Sequence, residues 1–385
     1  MFEYFPDNYP WSLSVLWASE VTGTFSEIHD AIEPLRKVSG AHPDEAGRAW
    51  YAAWCGLAER KLRTAADAKA RGFVQTQGRN LFRAGVYALM AVRFLPRDDD
   101  RGSHTYREGC ANFLAGLELL GKPARPVDVP YESGSLPGLL ALPRTQEPAP
   151  CVMVFGGFDS LKEWIHPVLI EPFLARGVGV FTVDQAGVGG ALRLHGLPAV
   201  VEVERSASAC IDALSRIPGI DPQRIGLCGI SLGGYYAPRA AAFEPRIAAC
   251  CAWGGIWDLG MLFQRLLDEP GKARSIPDML EHARWVFGTE TREQAMEVAR
   301  RMRLQEVISR VTCPLLVLHG ANDRQVVAGV SESTVRGAVN SRRAELKVFD
   351  IDEGGAEHCQ IDNLALAADY MADWFAEMLG AAAGT

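Results

Sequence analysis

The hydrophobic period changes once along this 385-residue chain, and that change limits the fold more than any motif does. From Phe2 to about Pro123, apolar residues recur three and four apart and β-branched runs are scarce, which is the pattern of amphipathic helices. After Lys122-Pro123 come short β-rich runs, bounded by Gly and Pro and separated by helical stretches, as in βα units on a largely parallel sheet. A boundary is therefore predicted near residue 124, with an all-helical domain over 1–123 and an α/β domain over 124–385.

In the first domain, helices are predicted in RAWYAAWCGLAERKLRTAADAKA, ended by Arg71-Gly72, in NLFRAGVYALMAVRFL, stopped by Pro96, and in HTYREGCANFLAGLELL, closed by Gly121. No fixed-period repeat points to a solenoid. In the second domain, RPVDVPYES and SLPGLLALP read as an opening hairpin, and CVMVF, GVGVFTV, RIGLCG, RIAACCAW, PLLVLHG and AELKVFDI complete eight strands. Spacers such as HPVLIEPFLARG and VVEVERSASACIDALSRI are long enough for right-handed crossover helices. The stretch from about 259 to 311 exceeds one crossover and is expected to add helices at the carboxyl edge of the sheet, as a lid would.

Composition narrows the partners. Hydrophobic residues at 48% and charged residues at 22% suit a soluble globular chain with a sizeable core and exclude a disordered one. A net charge of −8 has the wrong sign for gripping nucleic acid phosphates, so a small-molecule substrate is expected and nucleic acid is not. No apolar run is long enough to span a bilayer, and MFEYFPDNYPW lacks the layout of a signal peptide, so neither a membrane nor export is expected. The nine cysteines are odd in number, lie mostly in apolar runs and include no C-x-x-C pair. They read as reduced packing residues of a cytoplasmic protein, with no metal implied. Self-association as a homodimer is compatible with all of this.

The motif that carries chemistry is Gly229-Ile230-Ser231-Leu232-Gly233, which follows the apolar run IGLC and precedes YYAPRAAA. It puts Ser231 on a strand-to-helix turn, where glycines admit a strained backbone and a close helix. A serine hydroxyl there needs a base to take its proton, and the base needs an acid to hold its tautomer. Asp323, after PLLVLHGAN, and His358, after KVFDIDEGGAE, follow later strands in the required chain order of serine, acid, histidine. Of the eight histidines, only His358 follows the last strand. His319 reads as a buried hydrogen-bonded residue, and His29, His42 and His104 as surface or capping residues. Asp258, in WGGIWDLG, is the rival acid.

A developing oxyanion needs two backbone N–H donors. Leu232, next to the serine, supplies one, and Phe158 in Phe155-Gly156-Gly157-Phe158 is the expected second, with Gly157 and Asp159 one register away. The run DQAGVGG (184–190) lacks the full G-x-G-x-x-G of a dinucleotide loop and no P-loop occurs, so no cofactor is implied.

With serine, acid, histidine and Gly-Gly loop in place, residues 124 to 378 resemble the α/β-hydrolase superfamily. The helical first domain, GGFDSLKE, DQAGVGG, GISLGGYYA, EPRIAACCAWGG and LHGANDRQV together resemble its FrsA-like branch, that of the 2,6-dihydroxypseudooxynicotine hydrolase-like enzymes. The resemblance implies an α/β-hydrolase fold whose helical domain covers the active site, with Ser231, Asp323 and His358 as the triad. It also implies cleavage of carbon–carbon bonds next to ketones, as in the chain-shortening hydrolases of fungal polyketide pigments. One departure is that the branch often reads D-G-P-G-x-G-E where this chain has DQAGVGG followed by Ala191, without the final acid.

The resulting expectation is a serine hydrolase acting on a ketone or ester, with Gly157, Tyr235, Trp253 and Trp257 near the substrate. Two rivals are an acyl-eliminating lyase using the same triad and a noncatalytic binding protein on the same scaffold.

Overall fold

Where the sequence carries helical periodicity, the computed structural model has α1 (Tyr9–Thr22), α2 (Ser26–Ile32), α3 (Pro43–Ala70), α4 (Val74–Ala91) and α5 (Arg101–Leu119). Residues 1–97, 99–145, 147–269, 274 and 276–381 are described. The chain divides into two units, Phe2–Ala124 and the sheet-bearing Arg125–Arg274 with Met279–Thr385, and each is taken by itself.

In the helical unit, α3 starts five residues before the apolar period does. Pro43 fits the first helical position, the His42 side chain accepts from the Asp44 N–H, and Asp44 and Glu45 face the positive end of the helix dipole. α4 likewise runs from Val74 rather than Asn80 and ends at Ala91, short of Pro96. Trp50, Trp54, Tyr87 and Phe113 form the interior. The Trp50 and Trp54 rings lie 5.3 Å apart, and the Trp50 indole donates to the Met90 carbonyl at 2.8 Å, so the largest side chain here also satisfies its polar atom.

The second unit alternates strand and helix: β1 (Arg125–Tyr131), β2 (Gly134–Ala141), β3 (Ala149–Phe155), α6 (Lys162–Ala175), β4 (Gly179–Val183), α7 (Gly189–His195), α8 (Glu204–Leu214), β5 (Ile220–Ile230), α9 (Gly233–Phe243) and β6 (Ile247–Trp253). Then follow α10 (Leu259–Asp268), α11 (Met279–Phe287), α12 (Arg292–Arg301), β7 (Leu315–Gly320), α13 (Ala328–Gly337), β8 (Ala344–Phe349) and α14 (Leu364–Met378). Among the described residues the strands form one eight-stranded sheet in the order β1-β2-β4-β3-β5-β6-β7-β8. β1 and β2 form an antiparallel hairpin, β2 also lies antiparallel to β4, and every other neighbouring pair is parallel.

This order places the site. β3 pairs with β4 on one side and with β5 on the other, so the crossovers leave the centre in opposite directions and open a crevice at the carboxyl ends of β3 and β5. All of β3 is buried, as are the last six residues of β5, which suits strands covered on both faces.

The insertion expected over 259–311 contains α10, α11 and α12; its residues 270–273 and 275 lie outside the described residues, as do 382–385 at the chain end. Its apolar residues Phe263, Leu266, Ala283, Val286, Phe287 and Met296 belong to the same buried cluster as the sheet residues Met153, Leu227 and Val317. It is thus packed into the unit's core rather than laid over it. No helix among the described residues is long and apolar enough to cross a membrane. No disulfide joins the nine cysteines, and seven of them are buried.

Candidate active site

β5 ends at Ile230 and α9 begins at Gly233, which leaves Ser231 on the turn between them with φ of +56°. That left-handed backbone is strained for a serine and persists because its surroundings hold it. The Ser231 N–H donates to the Trp253 carbonyl at 2.8 Å, and its carbonyl accepts from the Gly234 N–H at 2.7 Å. The flanking glycines make the turn possible. A Cβ on Gly229 would lie 1.9 Å from the Gly233 oxygen, and one on Gly233 would lie 2.6 Å from the Phe155 oxygen.

His358 follows β8 in a short turn, with Nε2 2.9 Å from Ser231 Oγ and Nδ1 2.7 Å from Asp323 Oδ2. The carboxylate can only accept, so Nδ1 carries the proton toward Asp323, and Nε2 of the neutral ring is left to accept from the serine hydroxyl. The other carboxylate oxygen, Asp323 Oδ1, accepts the N–H groups of Gln325 and Val326, each at 2.8 Å, which fixes its loop. Burial disfavours charge on both groups, pushing Asp323 up and His358 down. Their mutual attraction outweighs it, leaving Asp323 below its ordinary value and His358 well above its own.

Asp258 lies elsewhere in the network: its side chain accepts from the Met261 N–H at 2.8 Å and caps α10. His319 is buried with Nδ1 3.1 Å from Ser331 Oγ, and burial lowers its pKa. His42 caps α3.

Gly157 lies against Ser231: a Cβ there would lie 2.9 Å from Ser231 Cβ and 3.0 Å from the Ile230 oxygen. Its N–H donates to Ser160 Oγ at 2.8 Å, whereas those of Phe158 and Leu232 have no protein acceptor among the described residues. Two unpaired N–H groups therefore flank Ser231 in sequence and across the crevice. Gly156 is paired in both directions with the buried Gln185 amide, donating to Oε1 and accepting from Nε2, each at 3.0 Å.

Nothing in the sequence singled out Gln185. A wholly buried polar residue just past a buried strand is the trace it leaves, and that burial is visible only after folding. Its neighbour Asp184 accepts from the Lys162 ammonium at 2.9 Å and from the Gly190 N–H at 2.7 Å. The DQAGVGG loop thereby holds both the Gly156-Gly157 loop and the start of α7.

A profile described as "Esterase FrsA-like" matches residues 47–327. The chain belongs to the FrsA-like esterase family. It is 30% identical to the 2,6-dihydropseudooxynicotine hydrolase of Paenarthrobacter nicotinovorans, over 86% of this chain and 84% of that one. It is 29% identical to hydrolase LUC6 of a Fusarium species, over 92% and 93% of the two chains. The solved 2,6-dihydroxy-pseudo-oxynicotine hydrolase structure superposes with a TM-score of 0.75 at 27% identity, over 96% of this chain and 98% of that one. This FrsA-like chain is a hydrolase of the α/β-hydrolase fold.

The three aromatic residues expected near the substrate have the surroundings of packing residues. Tyr235 is fully buried with its ring 5.6 Å from that of Tyr236. Trp253, also fully buried, donates its indole N–H to Gln360 Oε1 at 2.8 Å. The Trp257 ring packs against Gly337, at the end of α13. Aromatic residues after strand ends read alike whether they face a crevice or the core, so the sequence had no means of separating them.

Proposed function

We propose that this chain hydrolyses a carbon–carbon bond next to a ketone, or an ester, in a small conjugated, polyketide-like metabolite, through Ser231, His358 and Asp323 and a backbone oxyanion hole. The observation that carries the reading is the position of His358, within hydrogen-bond reach of both Ser231 Oγ and Asp323 Oδ2. Ser231 Oγ adds to the substrate carbonyl while its proton passes to His358 Nε2, and Asp323 stabilises the imidazolium that forms. The carbonyl oxygen becomes an oxyanion that accepts from the N–H groups of Leu232 and Phe158. The bond to the leaving carbon, or to the ester oxygen, breaks, and the leaving group takes the proton from His358. Water, deprotonated by the same histidine, then releases the acid from Ser231.

Expelling a carbanion requires an electron sink. The residues assigned here supply only hydrogen bonds and one proton, so the substrate must delocalise the charge itself, as β-diketones and acyl phenols do. One relative is named 2,6-dihydropseudooxynicotine hydrolase, and that name supports a small-metabolite substrate. The test compares kcat/KM on aryl β-diketones with that on short p-nitrophenyl esters. A preference for the diketones is expected, and esters turned over faster by orders of magnitude would make this an ordinary esterase. Ser231→Ala should reduce either activity by about four orders of magnitude or more, with the fold intact. Incorporation of labelled water into the acid product separates hydrolysis from elimination.

A further inference from the structure

The helical insertion reaches Phe158 of the oxyanion loop through a hydrogen bond and several ring contacts. His282 of α11 is 5% exposed, and its Nε2 lies 3.0 Å from the Phe158 carbonyl oxygen. A carbonyl only accepts, so Nε2 carries the proton and donates. The imidazole also meets the Phe158 ring edge to face, with centroids 4.7 Å apart at 71°. Phe263 of α10 and Phe287, the last residue of α11, close on the same ring at 5.6 and 6.3 Å.

The residues just before Phe158 are held by different partners. Gly156 is clamped by Gln185 and the Gly157 N–H by Ser160 Oγ. Of these three consecutive N–H groups, only that of Phe158 has no protein acceptor among the described residues. A loop whose polar groups are tied on both sides of one unpaired N–H is built to present that N–H. A preorganised donor spends no reorganisation energy as charge develops, which is where such groups gain their effect.

We propose that His282 is a positioning residue of the oxyanion hole. Its hydrogen bond and ring contact fix the backbone torsions of Phe158, and so the direction of the Phe158 N–H. The helical insertion would then contribute to catalysis by holding this donor rather than by contacting substrate. The inference rests on the reading above, in which Phe158 and Ser231 belong to one acyl-transfer site. A histidine that only filled the core would affect stability alone.

The experiment uses the full chain and an alkyl fluorophosphonate probe, whose phosphoryl oxygen occupies the oxyanion hole as Ser231 Oγ attacks phosphorus and fluoride leaves. Rates over a range of probe concentration give kinact and KI separately, and thermal melts report the fold. His282→Phe keeps a ring but no donor, and should lower kinact about 10- to 100-fold with KI changed less than about twofold, a fraction of the loss when such a donor is removed outright. His282→Gln, which can donate from Nε2, should recover most of that rate. His282→Met provides the same comparison if the Phe variant does not fold. A folded, donor-less variant labelled at the wild-type kinact overturns the proposal, as does a Gln variant no faster than Phe or Met. Equal labelling of Ser231→Ala and wild type would instead overturn the triad reading itself, and the proposal with it.

Discussion

At the scale of single residues, the site depends on which of two aspartates meets the histidine. Asp323 faces His358 Nδ1 while Asp258 caps a helix, so the same Asp→Asn change should have different consequences at the two positions. Asp323→Asn should lower kcat by about four orders of magnitude, because an amide stabilises the wrong tautomer and no imidazolium. Asp258→Asn keeps a capping oxygen and should leave kcat within about twofold, since Asn and Asp are comparable caps. Steady-state kinetics on the two variants decides this, and a reversed ranking would move the acid to the loop after β6. The pH profile follows from the same pair. His358 must be neutral to accept the serine proton, and its pKa stands well above the ordinary 6.5, so kcat/KM should rise with pH through an inflection above that value. In Asp323→Asn the attraction is gone while the desolvation that lowers the histidine remains, so the residual activity should titrate at lower pH. An inflection that stays put in this variant would show that Asp323 does not set it.

At the scale of elements, two strand ends and the loops they release make the site. β5 delivers Ser231 and β3 delivers Gly156 to Phe158, but the loop after β4 fastens the second of these through Gln185. Gln185→Leu keeps the approximate volume and leaves the N–H and C=O of Gly156 buried without partners. Such groups cost about 1–3 kcal/mol each, so urea unfolding should show a loss of several kcal/mol. Activity should fall as well, through a loosened Phe158. Unchanged stability would mean that Gly156 finds other partners. In the helical unit, the ends of α3 and α4 differ from those predicted because capping and first-turn chemistry extend a helix beyond its apolar stripe. Pro43-Asp44-Glu45 carries a start signal that periodicity alone does not register.

At the scale of the whole molecule, the chain carries a helical unit and a sheet unit, and the alignments to two of its relatives, over 86% and 92% of its length, reach into both. A fragment of 124–385 is expected to be insoluble or inactive. Expression of the fragment with fluorophosphonate labelling and turnover assays tests this, and a soluble fragment with full activity would make the helices a separate module.

The sequence by itself determined whatever depends on neighbours along the chain: the eight strands, read from short apolar runs between turn residues, and the strand-to-helix turn at Ser231, read from the spacing of its glycines. It also ranked Asp323 and His358, since both follow late strands in a fixed order. Tertiary structure alone decided what depends on residues distant in sequence and close in space. Asp258 and Asp323 each follow a strand, and only the folded loops show which one meets the imidazole. Gln185 and His282 carry no local signature because their partners are backbone groups of another segment. Tyr235 and Trp253 looked like residues of a crevice until burial placed them inside. The physical reason is the same in each case. Backbone propensity and hydrophobic period are local quantities, whereas the pairing of a buried polar group is satisfied by whichever donor or acceptor the packed fold brings within about 3 Å.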